Sequence, residues 1–167
     1  MRRLLTLALL ALAAPAMARD SLGVFGQWGA FRDPDVPRCY AIASAQSEPR
    51  TNRAARHREH AAFVSVGTWP RGQVRGQLHV RLSRTLAPRS PIRLALGAQR
   101  FVLTGGGADA WAQDRRMDAT ATVAMRSAPA MSVSGVDHNG RRFTDRYSLE
   151  GAATALDAAT VGCARLR

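Results

Sequence analysis

The chain has 167 residues, 24 basic against 12 acidic side chains, a net charge of +12 and 46% apolar composition. This composition excludes a wholly disordered chain, and the length suits one domain with an ordinary core. Apart from four His, every basic residue is Arg; the absence of Lys excludes a Walker-type phosphate loop.

Arg2 and Arg3 precede an unbroken apolar run from Leu4 to Ala14, then Pro15 and Ala16-Met17-Ala18. A basic start, an apolar centre and a small-x-small site form the order of a secretory signal. The run is about 11 residues, against the ~20 needed to span a bilayer, so a permanent anchor is the weaker reading. The expectation is a signal peptide over 1–18, cleaved after Ala18, and a single exported domain over 19–167, periplasmic or secreted. No Cys near the cut marks a lipid attachment site. The remaining chain keeps 22 basic and all 12 acidic residues, a charge of +10. Such a protein is drawn to anionic surfaces such as lipopolysaccharide, phospholipid headgroups and acidic glycans. The compartment argues against nucleic acid as a partner, and any membrane contact is expected to be peripheral.

Gly23 to Phe31 reads as a first strand, followed by a proline-punctuated loop over 32–37. Arg38 to Ala45 alternates, with Cys39, Ala41 and Ala43 on one face. Residues 46–60 lack an apolar period and carry Arg50, Arg53, Arg56 and Arg58 interleaved with His57 and His60. The plain reading is a solvated insertion; the functional one is a contact arm for an anionic surface. His57 and His60 alone are too weak a pattern for a metal site.

Ala61 to Trp69 and Val74 to Leu82 read as strands, the second with Leu78, Val80 and Leu82 inward and His79 among polar outward neighbours. Ile92 to Leu96 and Phe101 to Leu103 suggest a hairpin across Gly97 to Arg100. Gly105-Gly106-Gly107 fits no nucleotide-binding spacing and reads as a bend from strand to helix. Ala112 to Ala128 has an apolar stripe of Met117, Ala121, Ala124, Met125 and Ala128, ended by Pro129. Met131 to Asp137 and Arg141 to Tyr147 pair across Asn139-Gly140, a strong hairpin signal. Ser148 is placed to cap a last short helix through Leu156. The fold class expected is mainly β, a single-domain sandwich or partly closed barrel with two short helices in the C-terminal half.

Cys39 and Cys163 are the only cysteines. An even pair in an oxidising compartment predicts one disulfide, the alternative being two separate buried thiols.

The signal peptide, the Phe25-Gly26-Gln27-Trp28 start, Cys39, the Met131-Ser132-Val133-Ser134 strand and Tyr147-Ser148-Leu149-Glu150-Gly151 running into Ala152 to Leu156 form a pattern. It resembles the invasion-associated locus B family of exported alphaproteobacterial proteins. The resemblance implies a β-rich sandwich in the cell envelope or a secreted form, without an established enzyme activity. It does not by itself transfer the family's host-entry role, because fold does not fix function.

Three functions follow in order of support. The first is a non-enzymatic envelope protein that binds an anionic component or a protein partner through Arg50, Arg53, Arg56 and Arg58. The second is a small-ligand binder, with Trp28, Trp69 and Trp111 as candidate lining. The third is a hydrolase, for which no G-x-S-x-G or HExxH pattern exists and only His79 and His138 sit near rigid elements. No catalytic residue, metal ligand or cofactor is assigned. Protein recovered from the envelope is expected to begin at Arg19, having lost 18 residues. Intact-mass measurement checks this; full-length material confined to the cytosol, with both cysteines reduced, contradicts it.

Overall fold

The computed structural model describes residues 19–46 and 58–164. The expected signal peptide and Arg50, Arg53 and Arg56 lie outside these residues. Ten strands form one antiparallel sheet in the order β1-β2-β3-β4-β5-β8-β7-β6-β9-β10. They are β1 (Asp20–Phe25), β2 (Trp28–Asp33), β3 (Arg38–Ser44), β4 (Phe63–Trp69), β5 (Val74–Arg81), β6 (Ile92–Leu96), β7 (Gln99–Gly106), β8 (Asp109–Trp111), β9 (Ala130–Val136) and β10 (Arg142–Ser148). Helix α1 (Arg115–Ser127) follows β8, and α2 (Ala152–Ala164) follows β10. The mainly-β class and the late helices are as expected. The sheet is not closed into a barrel, since β1 and β10 do not pair. Its far ends nevertheless meet. The buried Trp28 of β2 donates its indole Nε1–H to Ser148 O at 2.9 Å, and Gln46 N donates to Arg146 O at 2.8 Å.

The segment expected as one strand over 23–31 is a hairpin, with Phe25 opposite Trp28 and a tight turn at Gly26-Gln27. Strand β3 behaves as its alternation requires, burying Cys39, Ala41 and Ala43. The inward face of β5 holds Leu78 and Val80, with Leu82 following it. The three glycines do not lead into a helix. Gly105 and Gly106 end β7, and the chain turns back at Gly107-Ala108 into β8. A Cβ on Gly105 would lie 2.2 Å from Asp109 O, so the two backbones meet there only without a side chain.

Strand β8 runs to Trp111 and the chain bends at 113–114, so α1 starts at Arg115 rather than at the expected Ala112. Asp114 caps it, its carboxylate accepting from Met117 N at 2.8 Å. Ala121, Ala124 and Met125 of the stripe are buried, and the helix stops before Pro129. Asp118 also points inward. Strand β8 covers only His79 to Arg81 of β5, leaving the Leu78 N–H without a strand partner on that side. Asp118 Oδ1 accepts it at 2.8 Å, which removes an otherwise costly buried donor.

The last helix is not capped by Ser148, which ends β10. Its hydroxyl instead accepts from Glu150 N at 3.2 Å. The chain turns at Gly151, with φ +84°, and a Cβ there would sit 1.9 Å from Phe25 O. Only glycine fits this conformation and this approach. Helix α2 then lies across β1, β2 and β3. Both surfaces are built from small residues, Ala152, Ala155, Ala159 and Cys163 above and Cys39, Ala41 and Ala43 below. Small side chains allow a close helix-on-sheet contact, and at its end Cys39 and Cys163 are joined with a Cα–Cα distance of 5.6 Å. The predicted disulfide is present.

Closing a loop of 124 residues by a covalent bond removes much unfolded-state entropy. Cys39→Ser/Cys163→Ser is expected to lower unfolding free energy by about 2–5 kcal/mol. Chemical denaturation checks this, and an unchanged midpoint contradicts it.

Candidate functional site

The structure places Arg58 at the root of the basic segment. Its Nη2 donates to Gln46 O at 2.5 Å. The adjoining backbone is fixed as well. Ala45 N donates to Ala62 O at 2.9 Å, and Ser83 O accepts from Glu59 N and His60 N at 2.8 and 3.2 Å. The chain thus enters and leaves 47–57 at one point on the domain. Of the four arginines assigned to surface binding, Arg58 is placed at that point; the other three belong to the intervening residues, outside those described.

Beneath this root lies a polar seam. Its members come from residues 58–60, from the connection 83–86 between β5 and β6, and from the β9–β10 hairpin. Arg84, nearly buried, pairs with the fully buried Asp137 at 3.0 Å. Asp137 Oδ1 also accepts from Asn139 N and Arg141 N, at 3.0 and 2.8 Å. The expected turn role of Asp137 is therefore correct, and the same carboxylate neutralises a buried guanidinium. Burial works against the charged form of Asp137. The two N–H donors and Arg84 outweigh it, so its pKa lies below the usual 3.8.

Asp145 takes the opposite course. Its Oδ2 accepts from Ser83 N at 2.9 Å. Burial dominates, and its pKa is raised above 3.8 despite the Ser83 bonds and the charges of Arg58 and Arg84. Beside it, the buried Tyr147 hydroxyl has no hydrogen-bond partner among the described residues, and burial together with the Asp145 charge drives its pKa far upward.

His60 and His138 lie together at the rim. His60 Nε2 lies 3.1 Å from Thr85 Oγ1 and 4.0 Å from Glu59 Oε2. His138 Nδ1 is 3.6 Å from Glu59 Oε1. Glu59 Oε2 accepts from Thr85 N at 3.0 Å, and bonding to Thr85 is the main cause of its lowered pKa. A hydroxyl, an imidazole and a carboxylate are thus neighbours. Both contacts of His60 fall on the same ring nitrogen, so this carboxylate does not orient the imidazole in the manner of a relay.

On the outer face, His79 Nε2 meets Asp109 Oδ1 at 2.9 Å and stacks on Trp111 with ring centroids 5.1 Å apart. Arg81 pairs with the same Asp109. His79 has no hydroxyl partner. The three tryptophans do not converge, as Trp28 is in the core, Trp69 folds over Gly67 and Trp111 covers His79. Among the described residues, no group of three or more His, Cys, Asp or Glu is arranged to hold a metal. No described helix is long and apolar enough to cross a membrane.

The seam carries a signal that sequence reading passed over. Asp145 shares strand parity with Phe143 and Tyr147, and Asp137 with Met131 and Val133, so both carboxylates point inward by alternation alone.

The crystal structure of invasion associated protein b from Bartonella henselae is similar to this chain. The TM-score is 0.55 and the identity 14%, over 83% of this chain and 95% of that one. The likeness is one of fold, at a distant structural relationship. No protein-family model matches the chain, and no curated protein matches it.

The raised pKa of Asp145 gives a pH prediction. A carboxyl that binds its proton more tightly when folded makes folding more favourable as pH falls through its folded pKa toward the unfolded value. Asp137 acts in the opposite sense and only below 3.8. In Asp145→Asn the first contribution vanishes. Between about pH 7 and about pH 4, wild-type stability should rise relative to Asp145→Asn, as read by urea melts. A gap that does not vary with pH contradicts the assignment.

Proposed function

We propose that this chain is a non-enzymatic, exported protein of the cell envelope that attaches peripherally to an anionic envelope component, or to a protein partner through the same basic surface. One observation carries the reading. The segment containing Arg50, Arg53 and Arg56 starts and ends at a single clamped root, where Arg58 Nη2 reaches Gln46 O at 2.5 Å. Four arginines are therefore tethered to one locus of a domain whose net charge is strongly positive. Charges concentrated in this way reinforce one another toward an anionic surface, each contributing on the order of 1 kcal/mol near it.

The export signal at 1–18 and the Cys39–Cys163 bond support an oxidising location. The fold likeness to invasion associated protein b is consistent with an envelope setting. A hydrolase would need a histidine bonded to a nucleophile, whereas among the described residues His79 bonds Asp109 and His138 lies against Asn139 and Glu59.

Mature protein is expected to co-sediment with phosphatidylglycerol vesicles and to lose that binding steeply as salt rises. The combined Arg50→Gln, Arg53→Gln, Arg56→Gln, Arg58→Gln variant should bind at least roughly tenfold more weakly. Salt-insensitive binding, or full binding by that variant, contradicts the proposal.

A further inference from the structure

A groove of about 690 Å³ runs between α1, α2 and the sheet. Its volume lies within the ~300–1,000 Å³ typical of small-molecule sites. Its position follows from the packing already described. The small residues that draw α2 onto β2 and β3 leave it short of α1 over β4 and β5. Val66 forms the floor, Leu156 and Ala159 form the α2 wall, and Ala119 belongs to the α1 wall. Gly76 and Ala119 contribute almost no side chain, so the space is left unfilled; nothing lies within 4 Å of where a Cβ on Gly76 would be.

The charge around this apolar channel is one-sided. Among the described residues three arginines line it, Arg71, Arg75 and Arg126, and no carboxylate does. Arg126 is taken by Asp157 at 2.6 Å, which ties the two helices together. Arg71, in the 3-10 turn Pro70–Gly72, and Arg75, in β5, are exposed and engage no ion pair or hydrogen bond among the described residues. Two unneutralised guanidiniums at the mouth of an apolar channel form a site with two chemistries. The guanidinium forks suit a carboxylate or phosphate, and the channel suits hydrocarbon.

We infer that the groove between α1 and α2 binds a single-chain anionic amphiphile of the fatty-acid class, its carboxylate held by Arg71 and Arg75 and its hydrocarbon chain lying along Val66, Leu156 and Ala159. The matched features are the charge at the mouth and the apolar lining behind it. A flat anionic surface reaches the first and not the second. The site is separate from the root of the basic segment, because it lies toward the opposite end of β4 and shares no residue with that root.

The test uses the mature, disulfide-bonded chain and palmitate below its micelle concentration, followed by titration calorimetry. One palmitate per chain is expected to bind saturably, while hexadecanol, equal in chain and uncharged, and inorganic phosphate, charged and without a chain, bind at least tenfold more weakly. Arg71→Gln/Arg75→Gln should weaken palmitate by roughly tenfold or more, the loss expected for hydrogen bonds to a charged group. Ala119→Phe changes an exposed wall residue and should block the groove with the melting temperature kept. The Arg50/Arg53/Arg56/Arg58→Gln variant should bind palmitate normally, which separates this site from vesicle attachment. The inference is overturned by binding only above the micelle concentration, by full binding in a folded Ala119→Phe protein, by loss in the basic-segment variant alone, or by a groove covered by a second copy, seen as a dimer that palmitate does not enter.

Discussion

The rest of the molecule depends on how α2 is held against the first three strands. A ten-stranded open sheet has two free edges and needs something to fasten its curl. Here the helix that follows the last strand returns to the beginning of the chain. Gly151 turns against Phe25 O, alanines on helix and sheet come into close contact, and the Cys39–Cys163 bond fixes the far end. Trp28 adds a polar tie, its indole N–H satisfied by Ser148 O. Each of these features needs the others. The disulfide requires the helix to end over β3, the helix path requires a left-handed turn at Gly151, and that turn requires no Cβ.

This arrangement also governs electrostatics. Among the described residues four carboxylates, Asp33, Asp118, Asp137 and Asp145, are buried. Asp137 neutralises Arg84, Asp118 accepts the Leu78 N–H within β5, and Asp145 receives the Ser83 N–H. Negative charge is thereby withdrawn from the surface while most arginines stay outside. The exterior is more cationic than composition alone indicates. A strongly basic surface is thus partly a consequence of how the core spends its aspartates.

Much of the fold was legible in the chain. The alternation of β3 and β5 and the Asn139-Gly140 hairpin are period-2 and turn-chemistry signals, and both agree with the structure. Other features were hidden for physical reasons. Gly26-Gln27 sits between apolar residues on both sides, so a hairpin there looks like one strand. Strand β8 has three residues, too few to show a period, and its absence from the reading moved the start of α1 and turned a glycine hairpin into a bend. The disulfide followed from count and compartment. The groove did not, since it arises from a gap between two helices and a sheet whose relative placement no local pattern encodes. The buried aspartates were within reach of alternation, and were passed over because an acidic residue in a strand is ordinarily assigned to solvent.

The two basic features have different physical characters because of where β4 begins and ends. Ala62, just before β4, accepts from Ala45 at the root of the basic segment, whereas Pro70, just after it, lines the groove. Eight residues of extended chain separate these points by roughly 25 Å at ~3.3 Å per residue. That exceeds the Debye length of ~8 Å at physiological ionic strength. Charge at one end is therefore screened from a ligand at the other, and substitutions at the two sites should act independently on affinity. At the root, Arg58 stands beside a seam whose carboxylates are already engaged, which favours contact with an extended anionic surface. At the groove, two free guanidiniums stand over apolar space that a surface cannot enter, which favours one bound molecule. The same residue type thus serves two kinds of recognition, distinguished by what lies beneath it.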